Sequence, residues 1–321
     1  MTISRRAALS LPLLLSQNVF AAAAYPNQQI KLVVPAIAGS STDRLGRFIA
    51  EGLRQQLGQP VIVENREGAN GCLGAEYASK AKPDGYTLLL AAISVLAINQ
   101  YIYKSLRYDP ETAFAPLLHA GYTPSVLVVN AASPYRSVAD VVKAARDNPE
   151  KITFASAGNG TTGHIGGELM NKQANVKMTH VPYRGNANLT AVLAGDVDMT
   201  FYHPVQVESL VKAGKLRSIA VTSAARMSYI PTVPTMIEQG FPAFEIVVWY
   251  MLLAPRGVDS AVAATLRNAV QTAAKGPDFK RQLLEDHVEW VVMSPEQLDV
   301  FLDTERKKWG DLVKLAGASF T

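Results

Sequence analysis

Short apolar runs alternate with amphipathic stretches along most of this chain, and no other feature constrains its fold as strongly. Residues 30–34 predict a strand, residues 41–57 carry apolar side chains at helical spacing, and residues 61–64 predict a second strand. A strand, a helix and a strand in that order favour a parallel βαβ unit. The same rhythm predicts further strands at 86–90, 126–129, 152–155, 178–181, 198–201, 216–221 and 247–253, and helices at 138–146, 162–173, 187–193, 261–274 and 295–315. The chain is therefore expected to be an α/β protein.

The length of 321 residues is enough for roughly two domains. Turn-rich segments at 121–124 and 222–234 mark the places where the chain is expected to pass between them. We therefore assign residues 25–122 plus 225–321 to lobe 1 and residues 123–224 to lobe 2. Two crossings predict a cleft between the carboxyl ends of the strands, which is where open α/β sheets bind ligands.

Residues 1–24 have the organisation of a secretory signal peptide. Arg5 and Arg6 give a basic start, residues 7–15 are apolar but too few to span a bilayer, and residues 21–24 offer a small-residue cleavage site. The Arg5-Arg6 pair leaves both the Sec and the twin-arginine export routes open. We expect the mature protein, beginning at Tyr25, in the periplasm.

The charge balance argues against a nucleic-acid partner. The net charge is +4, from 31 basic and 27 acidic residues, and two of the basic residues lie in the predicted signal peptide. Cys72 is the only cysteine, which excludes an intramolecular disulfide. The histidines show no metal-ligand spacing, and the chain has no G-x-x-x-x-G-K-[ST] loop for nucleotide phosphates. We expect neither a metal nor a cofactor.

Two loops at strand ends are the best candidates for ligand binding. Residues 36–42 follow the first predicted strand and open a helix, and residues 156–162 repeat that arrangement in the second lobe. Such loops present backbone N–H groups, hydroxyls and the positive end of a helix dipole, which suit an anion. For either loop alone, ordinary turn and capping roles explain the Ser, Thr and Gly residues equally well. Two loops together favour a carboxylate held from both lobes, and because neither contains Lys or Arg, we expect backbone groups and hydroxyls to hold it.

Catalytic patterns are weak in this chain, which has neither a G-x-S-x-G elbow nor an H-E-x-x-H motif. Because a Ser/His/Asp triad is defined by geometry rather than by spacing, a secreted α/β hydrolase stays as an alternative. We interpret His164 as a helix residue bonded near its own loop, and Asp43 as a carboxylate at the positive end of a helix dipole. Trp249 is either a pocket wall or a core aromatic residue.

Several ordered motifs resemble those of the Bug (Bordetella uptake gene) proteins, the extracytoplasmic solute receptors of tripartite tricarboxylate transporters. They include IKLVVP from Ile30, PVIVENR from Pro60, PDGYTLL from Pro83 and HVPYRG from His180, and they run through the whole mature chain. The resemblance implies a two-lobed periplasmic binding fold, type II-like, with a mostly parallel sheet flanked by helices in each lobe. It also implies a monomer that closes on a small carboxylate without catalysis and meets the membrane components of its transporter. A periplasmic co-sensor needs the same ligand-dependent closure, so that role stays open.

Carried over by position, the family's ligand contacts fall on the loop after the first strand, on Ser94, on residues 156–162 together with His164, and on residues 185–188. We add three aromatic residues to these positions. The predicted ligand-binding residues are Ile37, Ala38, Gly39, Ser40, Ser41, Thr42, Asp43, Ser94, Ser156, Gly158, Asn159, Thr161, Thr162, His164, Gly185, Asn186, Asn188, Tyr202, His203 and Trp249.

Three departures from the family pattern bear on the ligand. Residues 37–40 replace Pro-Pro-Gly-Gly, Val95-Leu96 replaces Thr-His, and Tyr202-His203 replaces a commonly acidic stretch. These changes predict a preference for carboxylates with an apolar or aromatic body, and they disfavour amino acids. Strand alternation predicts that only one of Tyr202 and His203 faces the cleft. A cleft-facing His203 with an ordinary pKa would make affinity for an anion fall as pH rises through ~6.5.

Overall fold

The computed structural model describes residues 25–184, 187–227 and 229–317 of the chain. The predicted signal peptide and the predicted ligand residues Gly185 and Asn186 lie outside the described residues. Within this part of the chain the strands are β1 (Ile30–Val34), β2 (Val61–Asn65), β3 (Thr87–Ala92), β4 (Phe114–Pro124), β5 (Val126–Asn130), β6 (Thr153–Ser156), β7 (Thr179–Pro182), β8 (Met199–Tyr202), β9 (Leu216–Val221) and β10 (Val247–Pro255). The helices are α1 (Ser41–Leu57), α2 (Cys72–Ser79), α3 (Asn99–Ile102), α4 (Val138–Asp147), α5 (Thr162–Ala174), α6 (Ala187–Ala194), α7 (Pro204–Lys212), α8 (Ser260–Ala273), α9 (Pro277–Glu285) and α10 (Pro295–Ala316).

The strands form two five-stranded sheets, one in each lobe, in the orders β2-β1-β3-β10-β4 and β7-β6-β8-β5-β9. In the first sheet β1 runs parallel to β2 and β3, whereas β10 runs antiparallel to β3 and β4. In the second sheet β6 runs parallel to β7 and β8, whereas β5 runs antiparallel to β8 and β9. The predicted two-lobed α/β architecture is confirmed, and each sheet is mixed because one strand, β10 or β5, runs against the other strands, which share one direction. In each sheet the antiparallel strand is the one by which the chain enters that lobe after a crossing. This strand is β5 in the second sheet and β10 in the first.

The chain passes between the two sheets at two neighbouring points. β4 ends at Pro124 in the first sheet and β5 begins at Val126 in the second, and the return occurs where β10 begins at Val247. Before that return, the Met236 N–H donates to the Val221 carbonyl of β9 at 2.9 Å. The turn-rich segment that suggested a lobe boundary after residue 224 therefore packs on the second sheet before the chain returns.

Thr222 joins the two crossings to each other. Its fully buried hydroxyl accepts a hydrogen bond from the Ser125 N–H at 2.8 Å. The same hydroxyl donates to the carbonyl oxygens of Ser125 and Ile246, at 3.1 and 2.5 Å. The two connecting segments are thus held side by side, and they form a narrow hinge between the lobes.

Helix α5 approaches strand β6 closely at Gly167. A Cβ atom built on Gly167 would lie 2.1 Å from Cε2 of the buried Phe154 ring. At Gly166, one residue earlier on the same helix, the nearest atom to such a Cβ is Cδ2 of Phe201 at 3.3 Å. The absence of a side chain at position 167 therefore sets how closely the helix lies on the second sheet.

We expect Gly167→Ala to be less stable than Gly166→Ala by about 1–3 kcal/mol, the usual cost of overpacking a core. Both substitutions gain the same helix propensity, so their difference isolates the contact with Phe154. Urea unfolding followed by circular dichroism measures it. Equal unfolding midpoints and slopes for the two variants would contradict the close approach.

Candidate functional site

A cleft of about 890 Å³ lies between the lobes. It is lined by loops that follow β1, β2 and β3 in lobe 1, and by loops that follow β6, β7 and β8 in lobe 2. These are the carboxyl ends of the strands, as the topology predicts. The predicted residues that line the cleft are Ile37, Ser40, Ser41, Thr42, Ser94, Thr161, Thr162, Asn188, Tyr202 and His203.

Helices α1, α5 and α7 begin at this cleft. The Ser40 hydroxyl caps α1 by accepting a hydrogen bond from the Asp43 N–H at 3.3 Å. Thr161 and His203 occupy the N-cap positions of α5 and α7, and neither makes a side-chain capping bond. The positive ends of these helix dipoles therefore border the cleft, and they favour a negatively charged ligand there.

Three buried polar atoms of the cleft residues have no hydrogen-bond partner within the described part of the chain. They are Oγ of Ser41 in lobe 1, and Oδ1 of Asn188 and Nδ1 of His203 in lobe 2. A buried polar atom without a partner costs about 1–3 kcal/mol, so native proteins seldom retain one without a reason. Their presence on both sides of the cleft indicates a site built to receive a polar ligand.

The orientation of the Asn188 side chain is set by the next strand. Its Nδ2 donates to Oγ1 of Thr200 at 3.2 Å, and that hydroxyl donates to the Ala155 carbonyl at 2.9 Å. Because Nδ2 is already engaged, Oδ1 is the atom that stays available. Asn188 therefore calls for a donor, either a ligand hydroxyl or a water molecule that also contacts the ligand.

Tyr202 and His203 both line the cleft, so the prediction that alternation allows only one of them is wrong. Strand β8 ends at Tyr202, and His203 already has the backbone conformation of a helix cap. Burial lowers the pKa of His203 to about 4 and raises the pKa of Tyr202 to about 12. Both side chains are consequently uncharged at neutral pH, and His203 acts in the cleft as a neutral hydrogen-bonding group.

Asp43 supports the first loop from behind rather than facing the ligand. Its carboxylate accepts hydrogen bonds from the Gly39 N–H at 2.8 Å, from Arg47 Nε at 3.0 Å and from Asn65 Nδ2 at 2.9 Å. Burial alone would raise the pKa of Asp43, but these bonds outweigh it and hold the pKa below its ordinary value. The predicted residues Ala38 and Gly39 belong to the same loop, and neither lines the cleft.

Ser156, Gly158, Asn159 and His164 do not line the cleft either. The fully buried Ser156 hydroxyl lies 2.7 Å from Nε2 of His180 and accepts the Gly158 N–H at 3.1 Å. His164 Nδ1 accepts the Gly160 N–H at 3.1 Å, and its ring stacks on His180 at 4.0 Å. Burial lowers the pKa of both histidines, and the pKa of His180 falls to about 4. This cluster gives the second loop its shape.

Trp249 faces away from the cleft. Its neighbour Val248 lines the cleft, so alternation along β10 turns the indole to the opposite face of the sheet. There its Nε1–H donates to Oε2 of the buried Glu305 at 2.6 Å. Trp249 is therefore not part of the cleft lining.

The sequence analysis missed several cleft residues, of which Glu67, Asn70, Ser125, Arg184 and Gln206 are polar or charged. Asn70 donates from Nδ2 to Oδ1 of Asn99 at 2.9 Å and, across the cleft, to the Gly160 carbonyl at 3.3 Å. Arg184 adds a cation that neither predicted anion loop contains. Its signal was its position two residues after β7, at the same sheet edge as the other loops. The loop that carries Asn70 has the equivalent position after β2.

The described residues contain no group of three or more His, Cys, Asp or Glu side chains that could hold a metal ion. A search of the same residues finds no helix that is long and apolar enough to cross a membrane.

Two lobes joined by a narrow hinge, with a polar cleft at the carboxyl ends of their strands, define a solute-binding receptor. Residues 45–318 match the family described as the tripartite tricarboxylate transporter family receptor, and the chain belongs to that family. Protein BugT of Bordetella pertussis is 31% identical over 300 residues, which cover 92% of this chain and 91% of BugT. The resemblance to the Bug proteins is thereby confirmed.

Two solved structures of similar proteins contain carboxylates. R. palustris Rpa4515, solved with adipate, superposes with a TM-score of 0.86 at 32% identity and covers 92% of this chain and 100% of that chain. MatC from Rhodopseudomonas palustris, solved with bound malate, gives a TM-score of 0.81 at 28% identity and covers 90% of this chain and 100% of that chain. The two-lobed fold is therefore confirmed.

Ser40 and Ser41 are adjacent serines with opposite roles, which makes them a matched pair. We expect Ser40→Ala to lower the free energy of unfolding by about 0.5–2 kcal/mol, because the capping bond of α1 is lost. Ser41→Ala removes a buried hydroxyl that has no partner among the described residues, so it should leave stability unchanged or raise it. Thermal unfolding of both variants in ligand-free buffer tests this. A loss at Ser41 as large as that at Ser40 would contradict these roles.

Proposed function

We propose that the protein captures a small carboxylate with an apolar body in the inter-lobe cleft and delivers it, unaltered, to the membrane components of a tripartite tricarboxylate transporter. The observation that carries this proposal is the meeting of the N-termini of α1, α5 and α7 at the cleft, beside the buried Ser41 hydroxyl that has no partner among the described residues. The acceptor oxygen of Asn188 would meet the carboxylate through a water molecule. Family membership supports the transport role. Export by the predicted signal peptide to the periplasm, through Sec or Tat, is part of the proposal.

The carboxylate is held mainly by neutral groups. The starts of α1, α5 and α7 supply backbone N–H groups and dipoles, and Ser41 supplies a hydroxyl. Arg184 adds a positive charge at an exposed position of the cleft lining, and Glu67 is an exposed acid of the same lining. Because these two charges are of opposite sign, the fixed dipoles and hydroxyls decide the preference for an anion.

The body of the ligand meets apolar side chains. Ile37, Ile93, Val95, Phe201 and Val248 all line the cleft. Burying apolar ligand surface against them contributes about 25 cal/mol per Å². The solved relatives with adipate and malate support a carboxylate, and this lining favours the one with the longer methylene chain.

Binding without turnover is favoured over the hydrolase alternative. Ser156 and His180 form a close Ser–His pair, but Ser156 is fully buried and does not line the cleft. Its hydroxyl also donates to the Gly158 carbonyl at 3.0 Å, which holds it within its own loop. A nucleophile needs an open approach to its substrate, and this serine has none.

We expect adipate and hexanoate to raise the melting temperature and norleucine, which adds an ammonium group to the same body, to leave it unchanged. A ligand at 100 times its dissociation constant adds about 2.7 kcal/mol to stability.

Ser41→Ala should weaken adipate binding by about 0.5–1.5 kcal/mol, the net size of one hydrogen bond. Ser133→Ala, which removes another buried unpartnered hydroxyl outside the cleft, serves as the matched control. Tight norleucine binding would rule out the proposed selectivity, and recovery of adipate in altered form would rule out a receptor without turnover.

We expect the affinity for adipate to stay constant between pH 6.5 and 8.5. Burial lowers the pKa of His203 to about 4, so the ring stays neutral throughout this range and no proton is taken up on binding. This replaces the expectation of a fall in affinity near ~6.5, which assumed an unperturbed histidine. Calorimetry in two buffers of different ionisation enthalpy measures proton uptake directly. An affinity at least tenfold higher at pH 6.5, lost in His203→Gln, would show that His203 is charged in the complex.

A further inference from the structure

A second cavity, of about 510 Å³, lies on the opposite face of the hinge strands from the cleft. Val248 of β10 lines the cleft, whereas its neighbours Val247 and Trp249 line this second space, which we call the hinge-back cavity. Its volume falls within the usual range of small-molecule sites. The ligand-binding proposal for the cleft does not use it.

The hinge-back cavity is enclosed by both lobes. Lobe 1 contributes strands β4 and β10, the segment around His287 and helix α10, and lobe 2 contributes residues 223–227 and Tyr229. Near one end, the His287 ring of lobe 1 stacks on Tyr229 at 3.7 Å, and its Nε2 lies 3.1 Å from Oε2 of Glu208 in lobe 2. These contacts make the cavity a defined space between the lobes.

Aromatic side chains form much of the cavity wall. Tyr122, Tyr229, Trp249 and Phe301 all line it. The Trp249 and Phe301 rings meet edge to face, with centroids 5.3 Å apart, so their positions are fixed by packing. Aromatic faces carry negative quadrupole charge and attract organic cations.

The charges around the cavity are mostly negative. Glu245, Glu289 and Glu305 line it together with Lys308 and Arg226. Arg226 is already neutralised, because its Nε lies 3.0 and 2.9 Å from the two carboxylate oxygens of Glu238. Lys308 is shared, with its Nζ 3.5 Å from Glu305 and 4.0 Å from Glu245. The carboxylates therefore outnumber the cations that are free to balance them.

Glu289 is the carboxylate best placed to meet a ligand. Its side chain is exposed and forms no ion pair with any of the described residues. Burial raises the pKa of Tyr122 and of Tyr229, and the negative charge of Glu289 raises both further. Tyr122 and Tyr229 therefore both lie near the Glu289 carboxylate.

We propose that the hinge-back cavity is a second binding site, and that it takes an organic cation with an aromatic body. The partly buried rings of Tyr122 and Tyr229 would contact the body and the ammonium group, and Glu289 would balance its charge. An anion is disfavoured by the surrounding carboxylates. A neutral ligand would leave the negative charge of Glu289 without a counter-charge.

Phenethylammonium is the probe, and 2-phenylethanol is its neutral counterpart with the same body. Calorimetry on the mature chain should show saturable binding of phenethylammonium at one site, at least about fivefold tighter than binding of 2-phenylethanol, which corresponds to about 1 kcal/mol. The indole N–H resonance of Trp249, assigned with Trp249→Phe, should shift with the same saturation curve. Equal affinities for the two probes, or no saturable binding, would overturn the proposal.

Variants separate the two sites. Glu289→Gln should weaken phenethylammonium binding about fivefold or more. The same substitution at the exposed Glu111, outside both cavities, and the cleft variant Ser41→Ala should leave it within about twofold. Weakening by Ser41→Ala instead would place the probe in the cleft and refute the second site. Adipate is titrated into Glu289→Gln as well. Because this substitution leaves the cleft unaltered, adipate should bind to the variant as it binds to the unsubstituted protein. A failure of the second site and a failure of the receptor function therefore give different results.

Discussion

The buried Thr222 hydroxyl, held between the two segments that connect the lobes, is the contact on which this architecture depends. It bonds to the backbone of Ser125 in one segment and of Ile246 in the other. Because both crossings lie next to one atom, the lobes can rotate about a narrow line without breaking either sheet. That line also separates the two cavities, since the cleft and the hinge-back cavity lie on opposite faces of β10.

The cleft gives up folding stability in favour of recognition. The hydroxyl of Ser41, the amide oxygen of Asn188 and the ring nitrogen of His203 are buried without partners among the described residues. Around them the loops are fully braced, by Asp43 in lobe 1 and by the Ser156–His180 pair in lobe 2. The contrast is functional, because a braced loop holds an unsatisfied polar atom where a ligand can reach it.

Local sequence patterns predicted most of the helices and strands. Which face of each helix or strand lies against the cleft depends on long-range packing. The apolar spacing of α1 predicted both of its ends correctly, and the structure shows Ser40 capping its start and Gly58 in the left-handed conformation after it. The strand β4 was missed because Gly121 and Pro124, which resemble turn residues, lie within it. Which face of β10 carries Trp249 depends on how that strand packs between β3 and β4, and pairing partners cannot be read from local sequence. Arg184 was missed for a similar reason, since the cleft takes residues from the ends of strands that are distant in the chain.

The hydrogen bond from Asn70 to the Gly160 carbonyl spans the cleft using protein atoms alone. Such a contact stabilises the closed arrangement whether or not a solute lies between the lobes. A transporter that recognises closure cannot tell a loaded receptor from an empty closed one, so every empty closed copy competes for docking. At 3.3 Å this neutral bond is long, so its contribution is small beside that of the contacts a bound solute would add across the cleft.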